Sequence, residues 1–321
     1  MEINFNEYRQ ILEAETVSIH HLMKHFKKDI MDFDEYGNVY VNYSKETKGT
    51  PILVAHTDNV LHGERVPVIT LDGKRIVGGN GIGIGFDDKA GIIAAIEIWK
   101  RMKKQGIRFI FTADEEVGGL GACKVFKEKL EDAAYIIELD RRGGRDLIQE
   151  SGGTRLGTDE FCKWFEDEGF VKDHGLYTDV NEFKITAPKV NMVNLSIGYY
   201  NPHTNNEYLD IEEFETIVNK VFRIISTHKE TIVDNEPQPE RKKYDYLNYG
   251  NYTNYTSKTT DTDDDWWEDT NDMCEYCGGR LGRFEGYVDS ETGLLFCDKD
   301  CCKHYKEEMG LDEEQKDEYD I

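Results

Sequence analysis

Five short segments carry the polar groups of this chain that are best suited to chemistry. They are 56–58 (His-Thr-Asp), 85–91 (Gly-Phe-Asp-Asp-Lys-Ala-Gly), 114–119 (Asp-Glu-Glu-Val-Gly-Gly), 139–140 (Leu-Asp) and 201–203 (Asn-Pro-His). Together they offer two imidazoles, at least three carboxylates and a spare glutamate. Such a set can hold two divalent cations, bridge them with a carboxylate and deprotonate a water between them. The sequence therefore predicts a two-metal hydrolase.

The first two segments each suggest a division of roles. His56 and Asp58 are two apart on extended chain, so both can face one side. A carboxylate beside a metal-bound imidazole commonly fixes its orientation, so we predict His56 as ligand and Asp58 as its partner. Asp87 and Asp88 follow glycines that allow close backbone approach. One Asp opening a helix would be an ordinary cap, but the second Asp and the downstream carboxylates favour a bridging ligand.

The later segments leave alternatives open. Adjacent Glu115 and Glu116 cannot point the same way on extended chain, which suits one metal ligand and one proton carrier, with Asp114 as a competitor for either role. Glu138 and Asp140 share one face of a strand, so either can be a ligand.

His203 follows Pro202 in a predicted loop. Glu207 and Asp210 lie close behind it in the sequence and are candidates for supporting groups.

Apolar periodicity predicts the elements that position these residues. Predicted helices cover one or two stretches within 5–28, then 90–102, about 120–130 and 211–232; predicted strands cover 39–41, 52–55, two arms of a hairpin within 65–84 turning at 72–73, 107–111, 134–137 and 190–198. Strands alternating with helices predict an α/β fold with a mainly parallel mixed sheet covered by helices on both faces. Sites in such sheets form beyond the carboxyl ends of strands. Three of the five segments follow predicted strands in this way.

These segments resemble the zinc-dependent exopeptidase superfamily that includes peptidase T, glutamate carboxypeptidase and the bacterial leucyl aminopeptidases. The likeness covers roughly residues 5–233, and its most specific part is G-x-D-D-K-A-G followed by D-E-E-x-G-G. The resemblance implies two divalent metal ions. Zinc is the expected metal, and cobalt and manganese are alternatives. It implies that Asp87 bridges them, that His56 and Asp140 complete one site, and that Glu116 and His203 complete the other.

The resemblance also implies a cis peptide between Asp87 and Asp88, and a role for Glu115 as general base and acid. Superfamily members with a lid domain insert it between the equivalents of Asp140 and His203, where this chain has 62 residues, or between those of His56 and Asp87, where it has 30. We therefore expect a lidless catalytic domain, with Tyr199 or Tyr200 as candidates to replace groups that a lid would supply.

The function that this implies is an aminopeptidase acting on short peptides. Asp rather than Glu at position 140 resembles the aminopeptidase members more than the carboxypeptidases. One alternative is an N-acyl-amino-acid deacylase. Another is a scaffold without turnover that works through its C-terminal region, although a scaffold would have no need of Glu115.

The charge and composition of the chain limit the kinds of partner that we expect it to bind. The net charge of −25 and the pI of about 4.7 disfavour binding to phosphate backbones, so no nucleic-acid partner is expected. The N-terminus shows no secretory pattern, and no stretch is long enough for a membrane span. Seven cysteines without a signal favour a reducing, cytoplasmic location. A homo-oligomer is compatible with these features.

The composition changes after residue 234. We predict a catalytic domain over 1–234, a linker rich in Tyr, Asn and Asp over 235–270, and a zinc module with an acidic tail over 271–321. The module's C-x2-C and C-x3-C pairs, 19 residues apart, predict one structural zinc and resemble treble-clef-like modules. The predicted ligands are Cys274, Cys277, Cys297 and Cys301, with Cys302 or His304 as alternatives. Fifteen acidic against six basic residues favour a protein partner for this module.

Overall fold

The computed structural model describes residues 3–60, 67–103 and 106–236, together with 287–288, 295–296, 303 and 306. The chain divides into two compact units, 1–242 and 243–321. In the second unit, two short strands, Tyr287–Val288 and Leu295–Phe296, pair antiparallel. The cysteines of the predicted zinc module lie outside the described residues, so that module stays a prediction. The bounds of the three predicted domains stay predictions as well.

The first unit contains the strands and helices that matter for the site. Its strands are β1 (Met31–Phe33), β2 (Val39–Val41), β3 (Ile52–His56), β4 (Ile69–Asp72), β5 (Arg75–Gly78), β6 (Arg108–Thr112), β7 (Ile136–Arg141), β8 (Asp146–Ser151), β9 (Thr154–Arg155), β10 (Val171–Gly175), β11 (Met192–Ser196), β12 (Tyr199–Tyr200) and β13 (Tyr208–Asp210). Its α-helices are α1 (Arg9–Leu12), α2 (Ile19–Leu22), α3 (Phe86–Arg101), α4 (Lys127–Leu130), α5 (Asp159–Asp167), α6 (Asp179–Thr186) and α7 (Ile211–Thr227). Short 3-10 turns cover Phe5–Tyr8, Lys28–Ile30, Lys45–Thr47 and Ala122–Lys124.

Nine strands form one mixed sheet with the order β1-β2-β6-β3-β7-β11-β8-β10, and β9 pairs with β8. The central pairs β6–β3, β3–β7 and β7–β11 are parallel, whereas β1–β2, β2–β6 and β11–β8 are antiparallel. Register places His56 opposite Thr112 at the carboxyl ends of β3 and β6. The predicted α/β fold is confirmed, and its parallel centre brings three site segments to one edge.

Both faces of this sheet are covered. On β3, Leu53 and Ala55 pack into one core together with α3 and α7, while Ile52 and Val54 pack into a second core on the opposite face with α6. A strand buried on both faces has no polar alternation, which explains its continuous apolar run.

The hairpin predicted within 65–84 is β4–β5. It belongs to a four-stranded sheet ordered β12-β13-β5-β4, which carries the loop that bears His203. Residues 141–200, all of which are described, add β8–β11 and helices α5 and α6 to the main sheet, and no separate lid domain is found among them.

Several predicted helices differ from those observed. The helix predicted over about 120–130 is wrong: the backbone of Val125 and Phe126 is extended and separates a 3-10 turn from the single turn of α4. Within 5–28 the chain forms only short helical pieces, and α7 ends at Thr227 rather than at 232. Among the described residues, no helix is both long and apolar enough to span a membrane.

Candidate metal centre

Two groups of possible metal ligands meet at the carboxyl edge of the main sheet. One comprises His56, Asp87 and Asp140, and the other comprises Asp87, Glu116 and His203. Within each group the candidate ligand atoms all lie within 4.8 Å of one another. The structure thus brings together the five residues predicted to hold two cations, with Asp87 common to both groups.

Asp87 lies between the two histidines. Its Oδ1 is 3.0 Å from Nε2 of His56, and its Oδ2 is 3.2 Å from Nε2 of His203. Asp87 and Asp88 are joined by a cis peptide bond, as the resemblance implied. A carboxylate with one oxygen directed to each histidine has the arrangement that a bridging ligand requires.

Asp88 and Gly91 explain why the 85–91 segment packs so closely against β7. The buried carboxylate of Asp88 accepts hydrogen bonds from the amide of His56 at 3.2 Å and from the amide of Gly91 at 2.9 Å. A Cβ on Gly91 would lie 2.5 Å from that carboxylate and from the carbonyl oxygen of Leu139. Only glycine at 91 lets α3 pack this closely against β7.

His56 ends β3 and is buried. Its Nδ1 lies 3.4 Å from Oδ1 of Asp58, so the predicted pair is adjacent. Burial disfavours protonation of His56, but the carboxylates of Asp140, Asp58 and Asp87 outweigh it and raise the pKa of His56 well above its usual range.

Asp140, rather than Glu138, is the β7 residue at the centre. Its Oδ1 is 3.7 Å from Nε2 of His56 and accepts a hydrogen bond from the hydroxyl of Tyr199 at 3.1 Å. Burial, followed by the neighbouring Asp87, raises the pKa of Asp140 to about 7. The carboxylate of Glu138 is instead buried below, where it accepts a hydrogen bond from Thr178 at 2.6 Å.

The two glutamates in the loop after β6 have different surroundings. Asp58 accepts hydrogen bonds from the amides of Glu115 at 3.2 Å and Glu116 at 3.1 Å, which fixes the backbone of both. Oε2 of Glu116 is 3.2 Å from Nε2 of His203, whereas Glu115 belongs to neither ligand group. Asp114 also belongs to neither group. Burial and nearby carboxylates raise the pKa of Glu115 well above its usual range.

The two candidates for supporting His203 have different roles. Glu207 accepts hydrogen bonds from the amides of Gly85 at 2.6 Å and Asp87 at 3.1 Å, so it connects the His203 loop to the bridging ligand. Asp210 instead caps α7 by accepting from the amide of Glu213 at 3.0 Å. The two candidates for replacing a lid differ: Tyr199 is buried and its hydroxyl donates to Asp140, whereas the hydroxyl of Tyr200 donates to Glu213.

The donor set fits two divalent cations. Imidazole nitrogen and carboxylate oxygen are the usual zinc ligands outside thiolate sites. Oε1 of Glu116 is buried and has no hydrogen-bond partner, as an oxygen reserved for a metal would be. The carboxylates of Asp87 and Glu116 accept hydrogen bonds from His203 and raise its pKa to about 10. An environment that favours positive charge on both imidazoles also favours cations between them.

Comparison with known families agrees with this centre. Residues 52–157 match the family model described as Peptidase family M20/M25/M40. Over these residues the chain is similar to that peptidase family. The match contains four of the five predicted segments, from His56 to Asp140. The predicted resemblance to zinc-dependent exopeptidases is confirmed, and so is the prediction of a metallopeptidase.

Solved structures of several peptidases share the fold. Aminopeptidase PepT from Bacillus cereus ATCC 10987 is 17% identical with a TM-score of 0.56, over 68% of this chain and 96% of that one. A tripeptidase from Staphylococcus aureus is 16% identical with a TM-score of 0.54, over 69% and 96%. The TET1 peptidase of Pyrococcus horikoshii is 15% identical with a TM-score of 0.51, over 69% and 98%. At these identities the likeness concerns the fold. A search of curated proteins finds no significant match.

Sequence reasoning missed a buried polar group beneath the centre. Thr112 donates a hydrogen bond to Asp179, which opens α6, and Asn194 donates to the carbonyl of Asp140 at 2.9 Å and to Thr178 at 3.2 Å. These contacts join β6, β7, β11 and α6. The sequence gives no indication of these contacts. Apolar periodicity predicts no helix or strand between the one at 134–137 and the one at 190–198, and the partners are far apart in sequence.

Proposed function

We propose that this chain is a two-metal aminopeptidase that removes N-terminal residues from short peptides. The observation that carries the proposal is the position of Asp87, whose two carboxylate oxygens face His56 at 3.0 Å and His203 at 3.2 Å. Each histidine has a further carboxylate beside it, Asp140 for one and Glu116 for the other. When bound, two divalent cations would polarise the scissile carbonyl and lower the pKa of a water between them.

The side chains of the protein would bind the two cations and transfer the proton. Asp87, His56 and Asp140 would hold one cation, and Asp87, Glu116 and His203 the other. Glu115 would accept a proton from the attacking water and return it to the leaving amine. Its position supports this role, because Glu115 directly precedes the proposed ligand Glu116 but belongs to neither ligand group.

A matched pair of peptides tests the proposal. The full-length protein, loaded in turn with zinc, cobalt and manganese, is given Leu-Gly-Gly and N-acetyl-Leu-Gly-Gly, and release of each product is followed by chromatography. We expect leucine to be released from the free-amino peptide alone. Cleavage restricted to the acetylated peptide would indicate a deacylase, and cleavage of neither with any metal would overturn the proposal. Glu115→Gln, purified in parallel, controls for a contaminating peptidase.

Further elements of the proposal rest on sequence and analogy. The P. horikoshii TET1 peptidase can assemble into a tetrahedron or a large octahedral shell, which supports a homo-oligomer here. The cysteine spacing supports one structural zinc in the 271–321 region, held by Cys274, Cys277, Cys297 and Cys301 and serving a protein partner. The cysteine usage supports a cytoplasmic location.

A further inference from the structure

Tyr177 lies against the loop that carries both glutamates of the metal centre. It stands between β10 and α6, and its hydroxyl is 3.1 Å from the carbonyl oxygen of Gly118 and 3.1 Å from Oε1 of Glu182. Gly118 is only two residues beyond Glu116. The two hydroxyl contacts hold the tyrosine ring beside the centre rather than leaving it free in solvent.

The glycine at 119 makes room for this ring. A Cβ at that position would lie 2.2 Å from the hydroxyl oxygen of Tyr177 and 3.1 Å from the ring carbon that bears it. The φ of Gly119 is also +67°, which favours glycine. The last glycine of the D-E-E-V-G-G motif therefore serves the packing of Tyr177, a use of the motif that the metal ligands do not explain.

Three apolar side chains are exposed on these two loops. Val117 is 55% exposed, Leu176 is 81% exposed and Tyr177 is 41% exposed. Single exposed apolar residues are ordinary, but a group beside a polar centre is characteristic of a ligand site, where apolar walls surround a few placed polar groups. Val117 directly follows the proposed ligand Glu116 in the sequence, and the hydroxyl of Tyr177 contacts the carbonyl oxygen of Gly118 on the same loop.

We propose that Val117, Leu176 and Tyr177 form an apolar subsite that binds a substrate side chain next to the scissile bond. This inference rests on the proposed function and names its substrate class: short peptides with a large apolar residue at the bond that is cut. Leu176 and Tyr177 lie between Asp140 and His203 in the sequence, within the described stretch 141–200 that adds its elements to the main sheet. The main catalytic domain thus supplies this wall itself.

Three tripeptides test the subsite: Leu-Gly-Gly, Gly-Leu-Gly and Gly-Gly-Gly. For the full-length metal-loaded protein we expect kcat/KM to be at least about tenfold higher for one of the leucine peptides than for Gly-Gly-Gly, since filling an apolar pocket is worth about that much or more. The leucine position that is preferred identifies which side of the scissile bond the subsite serves. Tyr177→Ala should reduce the preference to below about threefold through a higher KM for the leucine peptide, while the metal content is retained.

Two variants separate recognition from a structural effect. Tyr177→Phe keeps the ring but loses the two hydroxyl contacts, so it should retain more of the preference than Tyr177→Ala. Tyr36→Ala removes an equally exposed tyrosine on the turn between β1 and β2 and should change nothing. Equal rates on all three peptides by the wild-type protein, or an unchanged preference in Tyr177→Ala, would overturn the subsite while leaving the peptidase intact. Failure of the wild-type protein to cleave any of them would overturn the proposed function itself.

Discussion

The carboxylate of Glu207 accepts a hydrogen bond from the backbone amide of Asp87, with 3.1 Å between nitrogen and oxygen. Its other oxygen accepts from the amide of Gly85. Glu207 is 1% exposed, and burial raises its pKa to about 7. One buried side chain therefore positions the backbone of the bridging ligand from the loop that also carries His203.

Glu207→Gln should weaken metal binding without removing any proposed ligand. A glutamine has only one acceptor oxygen, so at least one of the two amides loses its partner and the position of Asp87 loosens. Groups that orient metal ligands typically contribute 10–100-fold in metal affinity or activity, and we expect a loss of about that size in zinc affinity, measured by competition with a chelator. Asp210→Asn is the control, because asparagine still caps α7 and Asp210 belongs to neither ligand group. Equal affinity in Glu207→Gln and wild type would refute the positioning role.

The bridging role predicts unequal effects of two ligand substitutions. Asp87 is common to both ligand groups, whereas His203 belongs to one. Asp87→Ala should therefore lose both ions and His203→Ala mainly one. Metal analysis of the dialysed proteins decides the matter, and two ions retained in Asp87→Ala would show that another group bridges the metals.

The two adjacent glutamates should give opposite phenotypes. Glu115→Gln keeps the shape of the side chain but cannot accept a proton, so metal content should persist while turnover falls by about 10²–10⁴, the usual effect of losing general acid–base catalysis. Glu116→Gln replaces a carboxylate that lies 3.2 Å from His203 and should lower metal occupancy instead. Exchange of the two phenotypes would reverse the roles assigned to the pair.

Strands that are buried on both faces made the centre of the fold predictable. The apolar runs of β3, β6 and β7 stand out from the surrounding sequence, and each is followed by residues with ligand chemistry. Because parallel strands end at one edge, the sequence indicated that His56, the Glu115–Glu116 pair and either Glu138 or Asp140 would lie close together.

Elements without such a run were not predictable in this way. Four of the five residues of β10 are exposed, so Val171–Gly175 has no apolar pattern to indicate a strand. The break at Val125 and Phe126 likewise follows from tertiary packing, since the sequence from 120 to 130 has helical spacing. The contact between Thr112 and Asp179 spans 67 positions and forms only once α6 packs on the sheet.

A chain that ends after Pro239 should retain the catalytic unit. Every residue of the proposed centre lies before that point, and the described part of the first unit continues to residue 236. We expect the truncated protein to bind two metal ions and to cleave Leu-Gly-Gly at close to the full-length rate, and the full-length protein to contain one further zinc. A truncated protein that binds two ions but is inactive would show that the C-terminal region completes the active site.

The end of the catalytic unit should be sensitive to one residue, Asp234. Its carboxylate lies 2.8 Å from Nζ of Lys184 and 2.7 Å from Arg155, and the side chains of Lys184 and Asp234 are each 1% exposed. Asp234→Ala leaves a buried ammonium without its charge partner, which typically destabilises by about 3–5 kcal/mol. Glu236→Ala removes a half-exposed partner of Arg155 and should cost about 0–1 kcal/mol.

Denaturant unfolding of the chain that ends after Pro239 provides the measurement. Because Asp234→Ala alone risks a protein that does not fold, the double variant Lys184→Met/Asp234→Leu is included; replacing a buried ion pair by apolar residues is often neutral or stabilising, so it should be more stable than the single variant. Loss of less than about 1 kcal/mol in Asp234→Ala would mean that Lys184 finds other partners beyond the carbonyl of Val190, which already accepts from it at 2.8 Å. We therefore expect Glu236→Ala and the double variant to lie close to wild type and Asp234→Ala to lie well below both, because only Asp234→Ala leaves the buried ammonium of Lys184 without its charge partner.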